Sequence, residues 1–363
     1  MSHKIRVGVI GTSDYADFMY LSFLKDYPRA ELAAICGQNR ERTEKRAAQY
    51  GIPQVYTDYR QMIQAGNLDG VIVAAPDDLH YEMTMLALEA GLHVICDKPL
   101  AISAQQALEM YEAAMKAGVK HQVTFTYRWI PVFQYLRDLI AEGFLGRCYH
   151  AEFRYLAGGG RQKNETNDWR YDQKRTNGNL ADMGSHMIDM ARWLLGEITR
   201  VSALLGVFVE VPTMDGDAVT PSNDTAFLLT EFANGAHGTI LATRVAYLPN
   251  RGMQQEIRLY GQNGSLELNV NYFGVDEGVS FQGARLQDKQ FQPLEIPASY
   301  GSFKAPFDWF NILARQSVGC RAWVDAILDD RPVTPSFYDG LKAQQVIEAA
   351  LVSHQSGKWV AIS

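Results

Sequence analysis

Along the first third of the chain, short apolar runs alternate with amphipathic segments. The runs IRVGVI at 5–10 and GVIVA at 70–74 predict buried strands, and the segment from Arg40 to Tyr50 predicts a charged helix that ends at Gly51. The same order continues through the runs at 32–36, 93–96 and 119–125. Repeated strand–helix units with fully apolar strands indicate an α/β domain with a doubly wound parallel sheet.

The pattern changes after residue 127, where longer runs alternate apolar and polar positions. Asn-Gly pairs at Asn234 and Asn263 separate several of these runs, as they do in β-hairpins. The runs lie at 149–155, 201–211, 226–232, 238–246, 256–260 and 265–270. We therefore predict an α+β second domain with a large, mostly antiparallel sheet that has one open face. The predicted domains are residues 1–127 and 128–363, and the last helix (338–354) can pack back on the first domain.

Composition and charge narrow the class of protein. The 363 residues are 47% hydrophobic and carry a net charge of −7, so no basic surface argues for a nucleic-acid partner. No apolar run reaches the roughly 18 residues that span a membrane, and the chain enters its first strand without a signal-peptide pattern. The four cysteines have no metal-binding spacing, which favours buried free thiols and no metal site. We expect a cytoplasmic protein.

The turn after the first strand carries part of a dinucleotide-binding pattern. Gly11 stands where a tight turn begins, and the start of the following helix can hold a pyrophosphate on its N–H groups. Ser13 and Ala16 replace the second and third glycines of the G-x-G-x-x-G pattern, and the Ser13 hydroxyl could donate a hydrogen bond to phosphate. These features predict a Rossmann domain whose cofactor contacts include Gly11, Thr12, Ser13, Tyr15 and Ala16. A strand–turn–helix without a ligand is the alternative.

The second strand ends without the carboxylate that binds the ribose of NAD in many such domains. Its end reads CGQNR from Cys36 to Arg40. Gly37 leaves room there, and Arg40 or Arg42 could offset the 2′-phosphate of NADP, although both could equally be solvated helix residues. Gly37, Gln38 and Arg40 are therefore candidates for cofactor binding, and the choice between NAD and NADP stays open.

Residues 178–189, GNLADMGSHMID, contain the strongest candidate for chemistry. Asp182, His186 and Asp189 recur at i, i+4 and i+7, so on a helix they share one face. A carboxylate and an imidazole one turn apart can act as an acid–base pair. A capping aspartate followed by a core histidine gives the same pattern, and this stretch alone does not separate the two interpretations.

Three further motifs complete a family resemblance. APDDLH at 75–80 follows the fourth strand, DKP at 97–99 follows the fifth, and FTYRWIP at 125–131 follows the sixth. Together with Asp182 and His186 they resemble the glucose–fructose oxidoreductase/inositol dehydrogenase/rhizopine-catabolism (Gfo/Idh/MocA) family. The resemblance implies an enzyme that uses NAD or NADP to transfer a hydride between nicotinamide and a hydroxyl or ketone of a sugar, inositol or related polyol.

The resemblance also implies roles for individual residues. The implied catalytic residues are Lys98, Asp182 and His186. His186 would take the proton from the substrate hydroxyl, Lys98 would stabilise charge on the same oxygen, and Asp182 would bind a neighbouring hydroxyl. Asp97 replaces the usual glutamate and should still reach a ribose hydroxyl, whereas Asp189 would support the helix. The implied substrate-binding residues are Lys98, Tyr127, Trp169, Arg170, Asp182 and His186. Beyond the first turn and 37–40, the implied cofactor-binding residues are Ala75, Pro76, Asp77, His80, Asp97, Lys98 and Arg128.

Two other functions stay open on the sequence. A family member with tightly bound NAD could act as a hydrolase or lyase through a keto-sugar, and the altered turn at Gly11 keeps that alternative. A non-catalytic sugar sensor is the other, although it would not need an acid–base set. The polar loop at 161–175 could be a lid or a solvated connection. Because an exposed sheet face commonly pairs in this family, we expect a homo-oligomer, either a dimer or a tetramer.

Overall fold

A computed structural model describes residues 4–161, 168–209, 213–214, 217–250, 252–273, 278–301 and 316–362. The chain divides into two compact units, one formed by residues 1–126 and 312–342 and the other by residues 127–311 and 343–363. Within the described ranges, no helix combines the length and apolar character needed to cross a membrane.

The first unit contains a six-stranded parallel sheet. Its strands are β1 (Ile5–Ile10), β2 (Ala30–Cys36), β3 (Gln54–Tyr56), β4 (Gly70–Val73), β5 (His93–Cys96) and β6 (His121–Val123). The strand order is β3-β2-β1-β4-β5-β6 and every neighbouring pair is parallel. The central strands are apolar on both faces, because Val7, Val71 and Ile72 have no exposed surface. The predicted doubly wound sheet is confirmed.

Helices join these strands, and their ends follow the expected capping chemistry. They span Asp14–Ala16 and Ser22–Leu24 around a π-helical turn at Asp17–Leu21, then Arg40–Tyr50, Tyr59–Gln64, His80–Glu89 and Ala104–Ala117. Asn39 accepts a hydrogen bond from the Arg42 N–H at the start of one helix, and Gly51 ends that helix with φ of 67°. A further helix, Cys320–Leu328, also belongs to this unit, where Trp323 lies against Gly70.

The second unit is built on a nine-stranded sheet. Two short strands of this unit, β9 (Thr213–Met214) and β10 (Asp217–Ala218), form a separate pair. The strands of the nine-stranded sheet are β7 (Cys148–Ala157), β8 (Ile198–Gly206), β11 (Thr225–Phe232), β12 (His237–Thr243), β13 (Met253–Gly261), β14 (Gly264–Asn271), β15 (Gly278–Arg285), β16 (Gln292–Pro293) and β17 (Val360–Ala361). The order is β16-β15-β14-β13-β7-β12-β11-β8-β17, and only the β7–β12 pair among them is parallel. These pairings confirm a mostly antiparallel sheet, and burial alternates between buried and half-buried positions along β14, as expected where one sheet face is more accessible.

In its described residues, this unit has the helices Pro131–Ala141 and Ser185–Leu195, the latter preceded by a π-helical turn at Leu180–Gly184. The helix and its π turn pack on β7 and β12. Of the last helix, Phe337–Ser356, residues up to 342 belong to the first unit and the remainder to the second. All four cysteines of the chain are buried free thiols, as predicted.

Candidate functional site

The turn between β1 and its helix requires a glycine. Gly11 has φ of 135°, and a Cβ atom there would lie 2.2 Å from the carbonyl oxygen of Ala74. Its N–H donates to the Cys36 carbonyl at the end of β2. The turn is therefore pressed against two strand ends of the sheet, where open α/β sheets bind their ligands.

Ser13 begins the helix that follows this turn. Its hydroxyl oxygen accepts a hydrogen bond from the Ala16 N–H at 3.2 Å, so its own hydrogen is left to donate outward from an exposed position. Thr12 is buried and accepts from the Arg42 Nε at 3.0 Å. Arg40 is exposed and pairs with Glu44. The two arginines considered for a 2′-phosphate thus have different surroundings, and Arg42 is the one attached to the turn.

The acidic side chains at this helix start are compensated by one arginine. Asp14 and Asp17 lie in its first turns, where they would repel a bound phosphate. Arg46 donates to Asp14 at 2.6 Å and to Asp17 at 2.8 Å. The arrangement lowers the negative charge beside the N–H groups of the turn, although the sequence pattern alone does not reveal it.

His80 fastens two loops of the first unit. Its ring is fully buried, with Nδ1 2.8 Å from the Pro99 carbonyl oxygen and Nε2 2.9 Å from that of Ala75. Because carbonyl oxygens only accept, both ring nitrogens must donate and the ring is an imidazolium. Burial opposes the charge, but the Cys96 side chain and nearby carboxylates outweigh it and raise the pKa of His80 to about 10. His80 therefore holds the loop that carries Lys98 and does not present its ring to a ligand.

Asp97 and Lys98 follow β5 directly. Asp97 is buried and accepts a hydrogen bond at 3.0 Å from the Tyr20 hydroxyl, which also contacts Thr124. Burial raises the pKa of Asp97, and the charges of His80 and Lys98 oppose that rise. Lys98 is half-buried and its peptide bond to Pro99 is cis.

In the second unit, the helix that carries Asp182 and His186 is capped from a distant segment. The Asn223 side chain accepts from the Leu180 N–H at 2.9 Å and donates to the Asn177 carbonyl at 2.7 Å. Gly178 has φ of 67° and leaves the space that Asn223 occupies. The π turn at 180–184 follows this cap, and such turns occur frequently at functional sites.

Asp182 faces an arginine that the sequence analysis did not select. The side chain of Asp182 is 31% exposed, and its Oδ2 lies 3.8 Å from Nη2 of Arg244. Arg244 directly follows β12 and is 8% exposed. A charged residue inside the apolar run at 238–246 was the available sequence signal for it.

His186 lies among aromatic rings. The Tyr127 ring meets it edge-on, with ring centroids 4.7 Å apart, and the Tyr155 ring lies 6.3 Å away. The two tyrosine hydroxyls are 2.6 Å apart. Burial raises the pKa of Tyr155, and the charge of Asp182 adds to the rise. The structure therefore groups four polar side chains of the second unit, of which Tyr155 was absent from the sequence predictions.

Arg128 and Asp189 form a buried ion pair. Arg128 donates to both carboxylate oxygens of Asp189, at 2.8 and 2.5 Å, and both side chains are almost fully buried. The pair links this helix to the segment that follows β6, and the supporting role of Asp189 stays a prediction. The same bidentate pairing holds the guanidinium of Arg128 in the protein interior, where it also lies near the ring of Trp193.

Trp169 and Arg170 form a short 3₁₀ turn, Trp169–Tyr171. The Arg170 guanidinium lies over the Trp169 ring at 4.5 Å and pairs with Asp168 at 3.2 Å. Ser222 donates to the Arg170 carbonyl, which fixes the turn beside the segment that caps the helix. Residues 162–167 of the proposed lid lie outside the described residues.

Comparison with known proteins decides the family. A model of an oxidoreductase family with an NAD-binding Rossmann fold matches residues 5–125, and a Gfo/Idh/MocA C-terminal domain model matches residues 133–267. The chain belongs to the Gfo/Idh/MocA oxidoreductase family. It is accordingly an NAD-binding oxidoreductase, and the expected family membership and fold are confirmed.

Individual Gfo/Idh/MocA proteins resemble the chain over most of its length. Levoglucosan dehydrogenase of Pseudarthrobacter phenanthrenivorans is 29% identical over 347 residues, which cover 90% of this chain and 88% of that protein. D-glucoside 3-dehydrogenase of Escherichia coli is 33% identical over 64% of this chain and 68% of its own. A solved structure of levoglucosan dehydrogenase in complex with NADH and levoglucosan has a TM-score of 0.87, at 26% identity, over 99% of this chain and 100% of that one.

The residues of the first unit fit the NAD of the Gfo/Idh/MocA family. The predicted contacts after β1, β2, β4 and β5 all stand at the carboxyl edge of one parallel sheet. Gly11 leaves a cradle that a Cβ would fill, and Ser13 offers an outward hydroxyl. Position 37 also has room only for a glycine, since a Cβ there would lie 2.6 Å from the Thr12 side chain. Gln38 is exposed, Ala75 and Pro76 are half-buried, and Asp77 is buried. Their individual roles stay predictions.

Proposed function

We propose that this chain is an NAD-dependent dehydrogenase that interconverts a secondary hydroxyl and a ketone on a sugar, an inositol or a related polyol. The observation that carries the proposal is the helix in which a partly exposed Asp182 precedes a nearly buried His186 by one turn. The levoglucosan and glucoside dehydrogenases named above support the substrate class.

In this proposal, His186 accepts the proton of the reacting hydroxyl. An imidazole is the side chain that most often serves as a general base, and the edge-on ring of Tyr127 packs against it. When bound, NAD⁺ would supply the acceptor for the hydride, which leaves the same carbon with the electron pair of the C–H bond. Lys98 donates a hydrogen bond to the reacting oxygen and stabilises its developing negative charge. Asp182 accepts a hydrogen bond from a second hydroxyl.

The test is a panel of aldoses, anhydrosugars, sugar acids and inositols, assayed with NAD⁺ and with NADP⁺ through the absorbance of the reduced nicotinamide. We expect reduction of NAD⁺ by at least one sugar or inositol, and loss of that activity in Lys98→Met and His186→Ala. Products released from the panel without net cofactor reduction would favour the hydrolase or lyase alternative. Sugar binding without any chemistry would favour a sensor.

We further propose that two copies of the chain associate through the open face of the nine-stranded sheet. Leu204 on β8 and Phe227 on β11 are direct cross-strand partners and are 65% and 49% exposed, and Leu229 beside them is 51% exposed. An apolar cluster of this kind favours a protein interface. Light scattering should give at least a dimer for the native chain and a smaller species for Phe227→Glu. A monomeric native protein would contradict the proposal.

A cytoplasmic location is also proposed, because the four cysteines are buried thiols and a reducing compartment keeps thiols in that state. Fractionation of cells that express the native gene tests it, and recovery outside the cytoplasmic fraction would contradict it.

A further inference from the structure

Arg244 has a backbone that is fixed on both sides. Its N–H donates to the Asp224 carbonyl at 3.0 Å, and its carbonyl accepts from the Gly160 N–H at 2.9 Å. Gly160 also leaves space for the stem of the arginine, since a Cβ there would lie 2.5 Å from Cγ of Arg244. The backbone of Arg244 is therefore held in place, and its guanidinium lies 5.5 Å from the centroid of the Tyr171 ring.

The guanidinium is buried with unused donors. Nε and Nη2 of Arg244 are shielded from solvent, and neither has a hydrogen-bond partner among the residues that the structure describes. A guanidinium carries five N–H donors, and burial of charged donors without acceptors is costly. An acceptor supplied by a ligand would remove that cost.

The carboxylate of Asp182 restricts what this ligand can be. Its Oδ2 is 3.8 Å from Nη2 of Arg244, which is too long for a direct hydrogen bond. One oxygen atom between them can lie about 2.8 Å from both. That atom must accept from the guanidinium and donate to the carboxylate. A hydroxyl does both, whereas a ketone or ether oxygen has no hydrogen to donate and a substrate carboxylate is repelled by Asp182.

We infer that Arg244 is a specificity-determining residue, which together with Asp182 recognises one hydroxyl of the substrate other than the reacting one. The inference rests on the proposed function and adds the requirement that this position of the substrate carry a hydroxyl. Arg244 neutralises the charge of Asp182 and aligns this hydroxyl. His186, on the next helical turn, accepts the proton of the reacting hydroxyl.

The experiment compares substrates and variants. The substrate with the highest kcat/KM in the panel above is assayed beside its monodeoxy derivatives, with the wild type, Arg244→Met and Arg244→Lys. Arg200→Met is the matched control, because Arg200 also pairs with a carboxylate, Glu231, and lies over an aromatic ring, that of Trp359. Thermal unfolding and NADH binding verify that each variant folds.

For the wild type we expect one deoxy derivative to lose about 10- to 150-fold in kcat/KM, the factor associated with a charge-assisted hydrogen bond. Arg244→Met should lose a similar factor on the parent substrate and little more on that derivative. Arg244→Lys should recover part of the loss, and Arg200→Met should behave as the wild type. An equal loss of kcat/KM on every deoxy derivative, or no loss on any of them, would overturn the inference. If Arg244→Met does not fold, the same comparison of parent and deoxy substrates is made with Arg244→Lys. Absence of turnover by the wild type would instead count against the proposed function.

Discussion

Replacement of His80 by glutamine should loosen the loop that carries Lys98. The histidine donates to two carbonyls, that of half-buried Ala75 and that of buried Pro99. A glutamine amide has both N–H donors on one nitrogen and cannot place them at the two separate positions from which Nδ1 and Nε2 donate, so we expect at least one of these carbonyls to lose its partner. A buried carbonyl without a partner costs about 1–3 kcal/mol, and the first unit should be destabilised by at least that amount. Urea unfolding of the wild type and His80→Gln measures the difference.

The destabilisation should depend on pH in a direction that the histidine sets. The pKa of His80 is raised to about 10 in the folded protein, and in the unfolded chain it is about 6.5. A raised folded pKa gives stability that is fully present below about pH 6.5 and is lost as the pH rises through about 10. The stability difference between wild type and His80→Gln should therefore narrow between these two pH values.

A matched control is available in His237, which is exposed on β12. His237→Gln should unfold as the wild type does at each pH. The functional effect of His80→Gln should appear mainly in kcat, through the displaced Lys98, with NADH affinity changed less. The assignment of His80 as an imidazolium that donates from both nitrogens is wrong if His80→Gln unfolds at the same urea concentration as the wild type. It is also wrong if the loss of stability in His80→Gln is the same across the pH range.

Three further outcomes are expected. Gly11→Ala should weaken NADH binding and cost about 1–3 kcal/mol of stability, because the added Cβ meets the Ala74 carbonyl; calorimetric titration tests this, and wild-type affinity would contradict it. Asp189→Ala should cost about 3–5 kcal/mol, because it leaves the guanidinium of Arg128 buried and charged; an unaltered thermal midpoint would count against that account. His186→Ala should lower turnover by about 10²-fold or more and keep NADH affinity, whereas full turnover would remove His186 from the catalytic set.

Most of the first unit was predictable because its signals are local. The apolar strands and the helix end at Gly51 each depend on residues adjacent in sequence, and the structure has them where the pattern predicted them. The helix Cys320–Leu328 was not predicted. It is held by contacts from far along the chain, such as the hydrogen bond from the Tyr27 hydroxyl to Asp325, which no local pattern records.

The candidate site shows the same division. The spacing of Asp182 and His186 is visible in sequence because both stand on one helix. Arg244 approaches Asp182 from the end of β12, 62 positions later in the chain, and its importance follows from a distance and from burial. For Arg128, the motif predicted a cofactor contact, while the structure shows its guanidinium engaged by Asp189. The sequence supplied the chemistry of the side chains, and their partners required three-dimensional contacts.

The cap on the reactive helix has a consequence for the order of assembly. Leu180 obtains its hydrogen-bond acceptor from Asn223, which stands just before β11 and 43 positions later in the chain. A nascent chain that ends before this residue can form the helix only with an open first turn. The start of the helix should therefore become protected from hydrogen exchange together with β11 rather than with its own sequence neighbours. Catalytic geometry in this protein would then be acquired late, when the sheet beneath it closes.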